Sequence, residues 1–131
     1  MNSKDMKTEK RYINLPGRRE NLPFSDAVLT DGTLYISGRI GFRPGTMEIP
    51  ADPAEEARYL LDGIKSVVEA AGMTMNDLNY VQVFCPDVSL FDTFNKVYRQ
   101  CFTGEMPARA FLGSGPLLFG ARFEMIAVAS R

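Results

Sequence analysis

The chain contains no histidine and no tryptophan. The first absence excludes the most. Without histidine there is no Ser-His-Asp triad, none of the usual zinc and iron ligand sets, and no side chain whose unperturbed pKa lies near neutrality. Any catalysis must rest on carboxylates, Arg, Lys, Tyr, Ser, Cys or backbone groups, so the expected chemistry uses no metal and no cofactor. Cysteine is scarce too. Cys85 and Cys101 stand 16 residues apart with no CxxC partner, and read as reduced, apolar-like side chains rather than a disulfide or a zinc site. No apolar run approaches the roughly 20 residues that span a bilayer. The opening MNSKDMKTEKRYIN has charges but lacks the apolar stretch of a secretory signal, so the expected location is cytoplasmic. Charge of one sign is lacking as well: 15 basic against 16 acidic residues leave a net charge of −1, and no global field draws nucleic acid or an anionic membrane.

What remains suits one globular domain. With 131 residues, 45% apolar and 24% charged, the chain can bury about two thirds of its unfolded surface. There is no internal repeat and no low-complexity tract. Residues 1–20 read as a tail with a short leading strand, and residues 21–131 as a single domain. AVLT-DG-TLYIS reads as a β-hairpin whose Asp31-Gly32 suits the positive φ angles of a type I′ turn. DPAEEARYLLDGIKSVVEAAG is the clearest helix: Asp52 caps it, Pro53 fits its first turn, Glu55 and Glu56 complement its dipole, and Gly72 ends it. Its apolar residues from Ala57 to Ala71 recur at three- and four-residue spacing. NYVQVFC follows as a strand, and SLFDTFNKVYRQCF as a second helix with Phe91, Phe94, Val97, Tyr98, Cys101 and Phe102 on one apolar face. Two strands, ARAFL and ARFEMIAVA, close the chain around GSGPLLFGA, which reads as a tight bend between them. The order ββαβαββ predicts an α+β fold, a mixed β-sheet with two helices packed on one face. The other face needs a cover, and self-association is the simplest.

Charges inside apolar strands are the chemical signal. Arg109 shares one side of its strand with Phe111, and Glu124 shares one side of the last strand with Ile126 and Val128. The structural reading is a cross-strand ion pair worth about 0.2–1 kcal/mol. The functional reading is a guanidinium fork presented to a substrate carboxylate, with a carboxylate nearby to handle a proton or a water. Asn95, beside the apolar face of the second helix, either bonds a neighbouring loop or lines a pocket. Arg39 and Arg43 are ordinarily solvated loop charges. If their loop faced Arg109, they would favour a substrate with extra negative charge. GSGP lacks the Lys-Ser/Thr of a Walker motif and the spacing of a dinucleotide fingerprint.

SGRIGF, VEAAG, VFCPDVSLFDTFNKVY, PARAF and FEMIAVA stand in the order and spacing of the reactive intermediate deaminase family (Rid, YjgF-type, also known as endoribonuclease L-PSP), which the chain resembles from about Phe24 to Ala129. The resemblance implies a chorismate-mutase-like fold and homotrimers with three small-molecule clefts between subunits. It implies a deaminase that releases a 2-keto acid and ammonia from a carboxylate-bearing imine or enamine. Arg109, in the PAR tripeptide, matches the carboxylate-binding arginine. Glu124 matches the glutamate that positions or activates water. Ser37 and Gly38 match the ligand-facing loop, and Asn95 a polar pocket residue. Three positions depart from the common pattern: Phe24 replaces a tyrosine, Phe111 a cysteine, and Arg39 the glutamine of the SGQ-type loop. These reshape the pocket without touching the Arg–Glu pair. The alternative is a non-catalytic trimer that binds a small carboxylate or a partner protein. A ribonuclease role is disfavoured, because no basic stripe is present to hold RNA.

Overall fold

Local chemistry sets the first elements. In a computed structural model that describes residues 9–131, Asp31 and Gly32 take φ of 50° and 77°. Both values belong to the left-handed region that a type I′ turn requires. The turn pairs β2 (Ala27–Thr30) with β3 (Thr33–Ile40) from Thr30 opposite Thr33. A leading strand, β1 (Lys10–Ile13), adds antiparallel to β2 and extends the sheet to six strands. Residues 1–8 of the tail lie outside the described residues. Helix α1 runs Pro53–Ala70, its first turn capped by the Asp52 carboxylate accepting from the Ala54 N–H at 3.2 Å. Gly72, at φ 79°, ends it. Helix α2 is shorter than the apolar pattern suggests, Phe91–Arg99, preceded by a 3-10 turn that Asp87 caps.

The last strands differ from expectation. The sheet order is β1-β2-β3-β6-β4-β5, where β4 is Leu78–Cys85, β5 Ala108–Gly113 and β6 Glu124–Ser130. Strand β5 lies parallel to β4 at the sheet edge, while β6 is inserted antiparallel between β3 and β4. GSGPLLFGA is therefore no tight bend: it carries the chain past the end of β4, and Arg109 and Glu124 have no cross-strand contact to make. The order of strands depends on what the chain packs against at long range, which a local pattern does not encode.

The two helices cover one face of the sheet. The core between them includes Leu60, Ile64 and Val67 of α1, Phe94 of α2, and Val81, Val83, Met125 and Ala127 of the sheet. One charge is sealed inside. Glu56, read from sequence as a dipole partner, is fully buried and accepts from the Arg122 guanidinium (2.8 Å) and from the N–H groups of Arg122 (2.7 Å) and Phe123 (3.3 Å). This bond set ties the first turn of α1 to the entry of β6. Gly41 passes so close to the Glu56 carbonyl that a Cβ there has no room.

The opposite face is bare. A row of register partners crosses all six strands on it: Tyr12, Val28, Tyr35, Val128, Tyr80 and Ala108. Its three tyrosines are exposed. Among the described residues no helix is long and apolar enough to cross a membrane.

Candidate active site

Register decides which residues share a face. Val81 on the helix-covered face is level with Arg109, and Phe84 on the bare face is level with both Glu124 and Leu112. Arg109 and Phe111 thus point toward the helices, and Glu124 points away from them. The candidate residues fall into two groups.

The first group gathers at the edge formed by β5 and α2. Arg109 extends beneath α2, its guanidinium 4.7 Å from the Tyr98 ring centroid and 5.7 Å from that of Phe91. Its Nη1 is buried and has no hydrogen-bond acceptor among the described residues. Burial lowers its pKa from the usual arginine value, opposed by Tyr98 and reinforced by Arg99. Asn95 and Tyr98 are only 5% and 4% exposed, yet among the described residues the Asn95 Oδ1 and the Tyr98 hydroxyl also have no partner. Burial pushes the Tyr98 phenol up to about 12. All three groups border one cavity of about 280 Å³, with Phe91, Arg99, Met106 and Pro107 completing the wall. Buried polar atoms are almost always satisfied, and among the described residues these three unpaired groups all belong to side chains lining one cavity. Phe111 stands behind this wall, packed edge-on against Phe91 and Phe94.

The second group lies on β3, β6 and the segment before β2. Glu124 sits between Ile40 and Phe84 on the bare face. It has no ion pair among the described residues, and burial raises its pKa from the ordinary carboxylate value. A Cβ on Gly38 would stand 3.1 Å from the Glu124 Oε1, so a glycine there leaves room for the carboxylate. The Ser37 hydroxyl donates to the Ser25 carbonyl (2.6 Å) and its N–H to the Asp26 carbonyl (3.0 Å), which holds β3, where its register with β6 shifts between Ile36 and Arg39, against the segment carrying Phe24. The Phe24 ring is half-exposed beside Arg18 and borders a second, open cavity of about 460 Å³.

Arg39 joins neither group. Opposite Met125 it points to the helix-covered face, against Gly63 of α1, with its Nη1 3.6 Å from the Asp26 carboxylate. Arg43 pairs with Glu55 at 3.1 Å. Neither supplies charge to the Arg109 cavity. Sequence reasoning missed Tyr98, taken as core, and Arg99. The signal was there: both follow Asn95 at the three- and four-residue spacing of one helix face. Among the described residues no group of three His, Cys, Asp or Glu could hold a metal ion.

Fold and cavity together define an α+β domain with a half-buried arginine bordering a sheet-edge cavity. The endoribonuclease L-PSP profile matches residues 19–131, and the chain belongs to that family, the Rid/YjgF group its motifs resemble. Among its relatives, the 2-iminobutanoate/2-iminopropanoate deaminase of Bos taurus is 39% identical over 108 residues, 82% of this chain and 79% of that protein. The Homo sapiens protein of the same name is 38% identical over the same span of each. Two solved structures from Escherichia coli share the fold. The YjgF gene product has a TM-score of 0.82 at 35% identity and covers 90% of this chain and 94% of its own. TdcF with bound serine has a TM-score of 0.85 at 32% identity, covering 92% and 99%.

Proposed function

We propose that this protein is an imine deaminase whose cleft forms between subunits of a homotrimer, without a metal or cofactor. The observation that carries the reading is the cavity at Arg109, where a free guanidinium nitrogen, a free amide oxygen and a free hydroxyl converge. A carboxylate meets Arg109 bidentately, and Asn95 Oδ1 accepts from the imine N–H. The cavity lies at the small end of the range for ligand sites, which suits a short acid rather than a polymer. The relatives named as deaminases support the same chemistry.

Water attack needs a second group, which Glu124 supplies from a neighbouring copy. Its raised pKa makes it a better base near neutrality than an ordinary carboxylate. Water donates a proton to Glu124 as its oxygen bonds to the imine carbon. Glu124 returns that proton to the nitrogen, the added hydroxyl gives up the second water proton to the same nitrogen as its oxygen forms the C=O bond, and the C–N bond breaks to release ammonia and a 2-keto acid. The bare tyrosine-bearing sheet face gives the copies a surface on which to join. The proposal extends to a cytoplasmic setting, where the free thiols of Cys85 and Cys101 stay reduced.

The test couples an amino-acid oxidase to this protein and follows imine loss by semicarbazone formation. Wild type should speed the loss and Arg109→Ala should not, with its circular dichroism spectrum unchanged. An inert wild type, or a fully active Arg109→Ala, rejects the reading. One observation favours a non-catalytic carboxylate binder instead: Phe24 offers no hydroxyl where the second cavity opens. That reading requires tight carboxylate binding with no effect on any imine.

A further inference from the structure

The cavity beside Arg109 holds more positive charge than one carboxylate needs. Arg99, in the last turn of α2, borders the same cavity, and its charge is felt at Arg109, where it disfavours the protonated guanidinium. Neither arginine has an ion-pair partner among the described residues, and no carboxylate of the same chain borders the cavity. Two like charges facing one small space repel, and an anion with two negative groups relieves both at once. A basic residue at a helix C-terminus also complements the dipole, but Lys96 serves that end equally well from outside the cavity. Tyr98, one residue before Arg99 in the same turn, adds a buried hydroxyl without a partner among the described residues, a neutral donor in the same cavity wall. The Asn95 acceptor lies in that wall as well, three and four residues earlier on the same helix face.

We infer that the site selects dicarboxylic imines, those derived from amino acids whose side chain ends in a second carboxylate. Arg109 holds the carboxylate next to the imine carbon and Arg99 the distal one. The Tyr98 hydroxyl donates to whichever carboxylate oxygen reaches it. The reaction is unchanged: water adds at the imine carbon, ammonia leaves, and the distal carboxylate is a handle only. The inference rests on the deaminase reading for its chemistry, but its charge argument stands on the cavity alone.

The experiment measures kcat/KM for imines generated in place from glutamate, aspartate and alanine, with wild type, Arg99→Ala, Arg99→Lys and Arg99→Glu. Wild type should favour the two diacid imines. Arg99→Ala should lower the ratio of diacid to alanine-imine activity about tenfold, the low end for a charge-assisted hydrogen bond, as suits an exposed cation. Arg99→Lys should keep part of the ratio and Arg99→Glu should invert it. A ratio that is the same in all four proteins, or activity that falls equally on every imine, overturns the inference. A second arm titrates succinate and propionate by calorimetry, which needs no turnover. If wild type hydrolyses no imine yet prefers succinate in an Arg99-dependent way, the deaminase reading fails and the two-carboxylate site stands. If it shows neither, both fail.

Discussion

Arg109 and Glu124 lie on opposite faces of one sheet, with β4 between their strands. Arg109 is level with Val81 and Glu124 with Phe84, so they are offset by three residues along β4 as well as by two strand spacings across it. At about 4.8 Å per strand and 3.3 Å per residue, their Cα atoms stand roughly 14 Å apart. Their side chains diverge from there. No rotamer brings both onto one small imine, so a two-residue mechanism needs the arginine of one copy and the glutamate of another.

That geometry predicts complementation between dead proteins. Arg109→Ala and Glu124→Gln should each be inactive alone. Unfolded together and refolded, they form mixed assemblies in which half the arginine donors and half the glutamate donors are intact, so about one quarter of the clefts recover both. Activity near a quarter of wild type is the expected reading. None at all would mean that both residues serve one chain's site.

Glu124→Gln should lower kcat/KM about 10²–10⁴-fold, as loss of a positioned general base does, while stabilising the fold at neutral pH. The sign follows from the raised pKa. The folded state holds the proton more tightly than the unfolded state. The stabilisation from that proton is full below the unfolded carboxylate value, about 4.3, and is lost as pH rises through the raised value. Glutamine carries no charge to desolvate. The melting temperature of the variant should exceed that of wild type at pH 7, with the gap closing as pH falls below 4. The acid limb of the wild-type rate profile should lie above the ordinary carboxylate midpoint.

Two glycines three residues apart should fail in different ways. A Cβ on Gly38 meets only the end of the Glu124 side chain, which can swing away. Gly38→Ala should therefore fold, with a stability loss of at most about 1 kcal/mol, and lose activity. A Cβ on Gly41 meets the backbone of α1 at Glu56, which cannot move. Gly41→Ala should yield little soluble protein. Expression level, melting temperature and kcat/KM together separate the two outcomes.

Glu56→Ala removes the acceptor for three donors at once. Breaking a buried charged pair costs about 3–5 kcal/mol, and the partly exposed Arg122 places the expected loss near 3. Urea unfolding should show this as a lower midpoint with the slope unchanged. An effect under about 0.5 kcal/mol, the size of an ordinary surface change, would contradict the bond set.

Sequence made some of this legible and hid the rest for a physical reason. Asp52, Pro53 and Gly72 bound α1, and Asp31-Gly32 forms its turn, because caps and turns are decided by a few adjacent residues. Arg109, Asn95 and Glu124 stood out by residue type in apolar surroundings. What stayed hidden was set by contacts distant in sequence. The Glu56 carboxylate is buried by Arg122, 66 residues away. Arg39 reads as a loop charge until Asp26 is seen beneath it. Tyr98 reads as core because a hydroxyl without a partner is visible only once every neighbour is in place.

β6 follows every other strand in the sequence, yet it lies in the middle of the sheet. Without it the strands form two separate pieces, β1-β2-β3 and β4-β5, each with an open edge facing the gap. On the ribosome, five strands and both helices emerge before the piece that joins them, and those edges stay free to pair with other chains until it arrives. The strand that closes this gap begins with Glu124. Folding and the proposed chemistry are thereby joined in seven residues: a chain cut short before β6 lacks both the strand that finishes the sheet and the carboxylate proposed to activate water. A chain truncated before β6 should therefore fail to fold rather than persist as a folded but idle subunit.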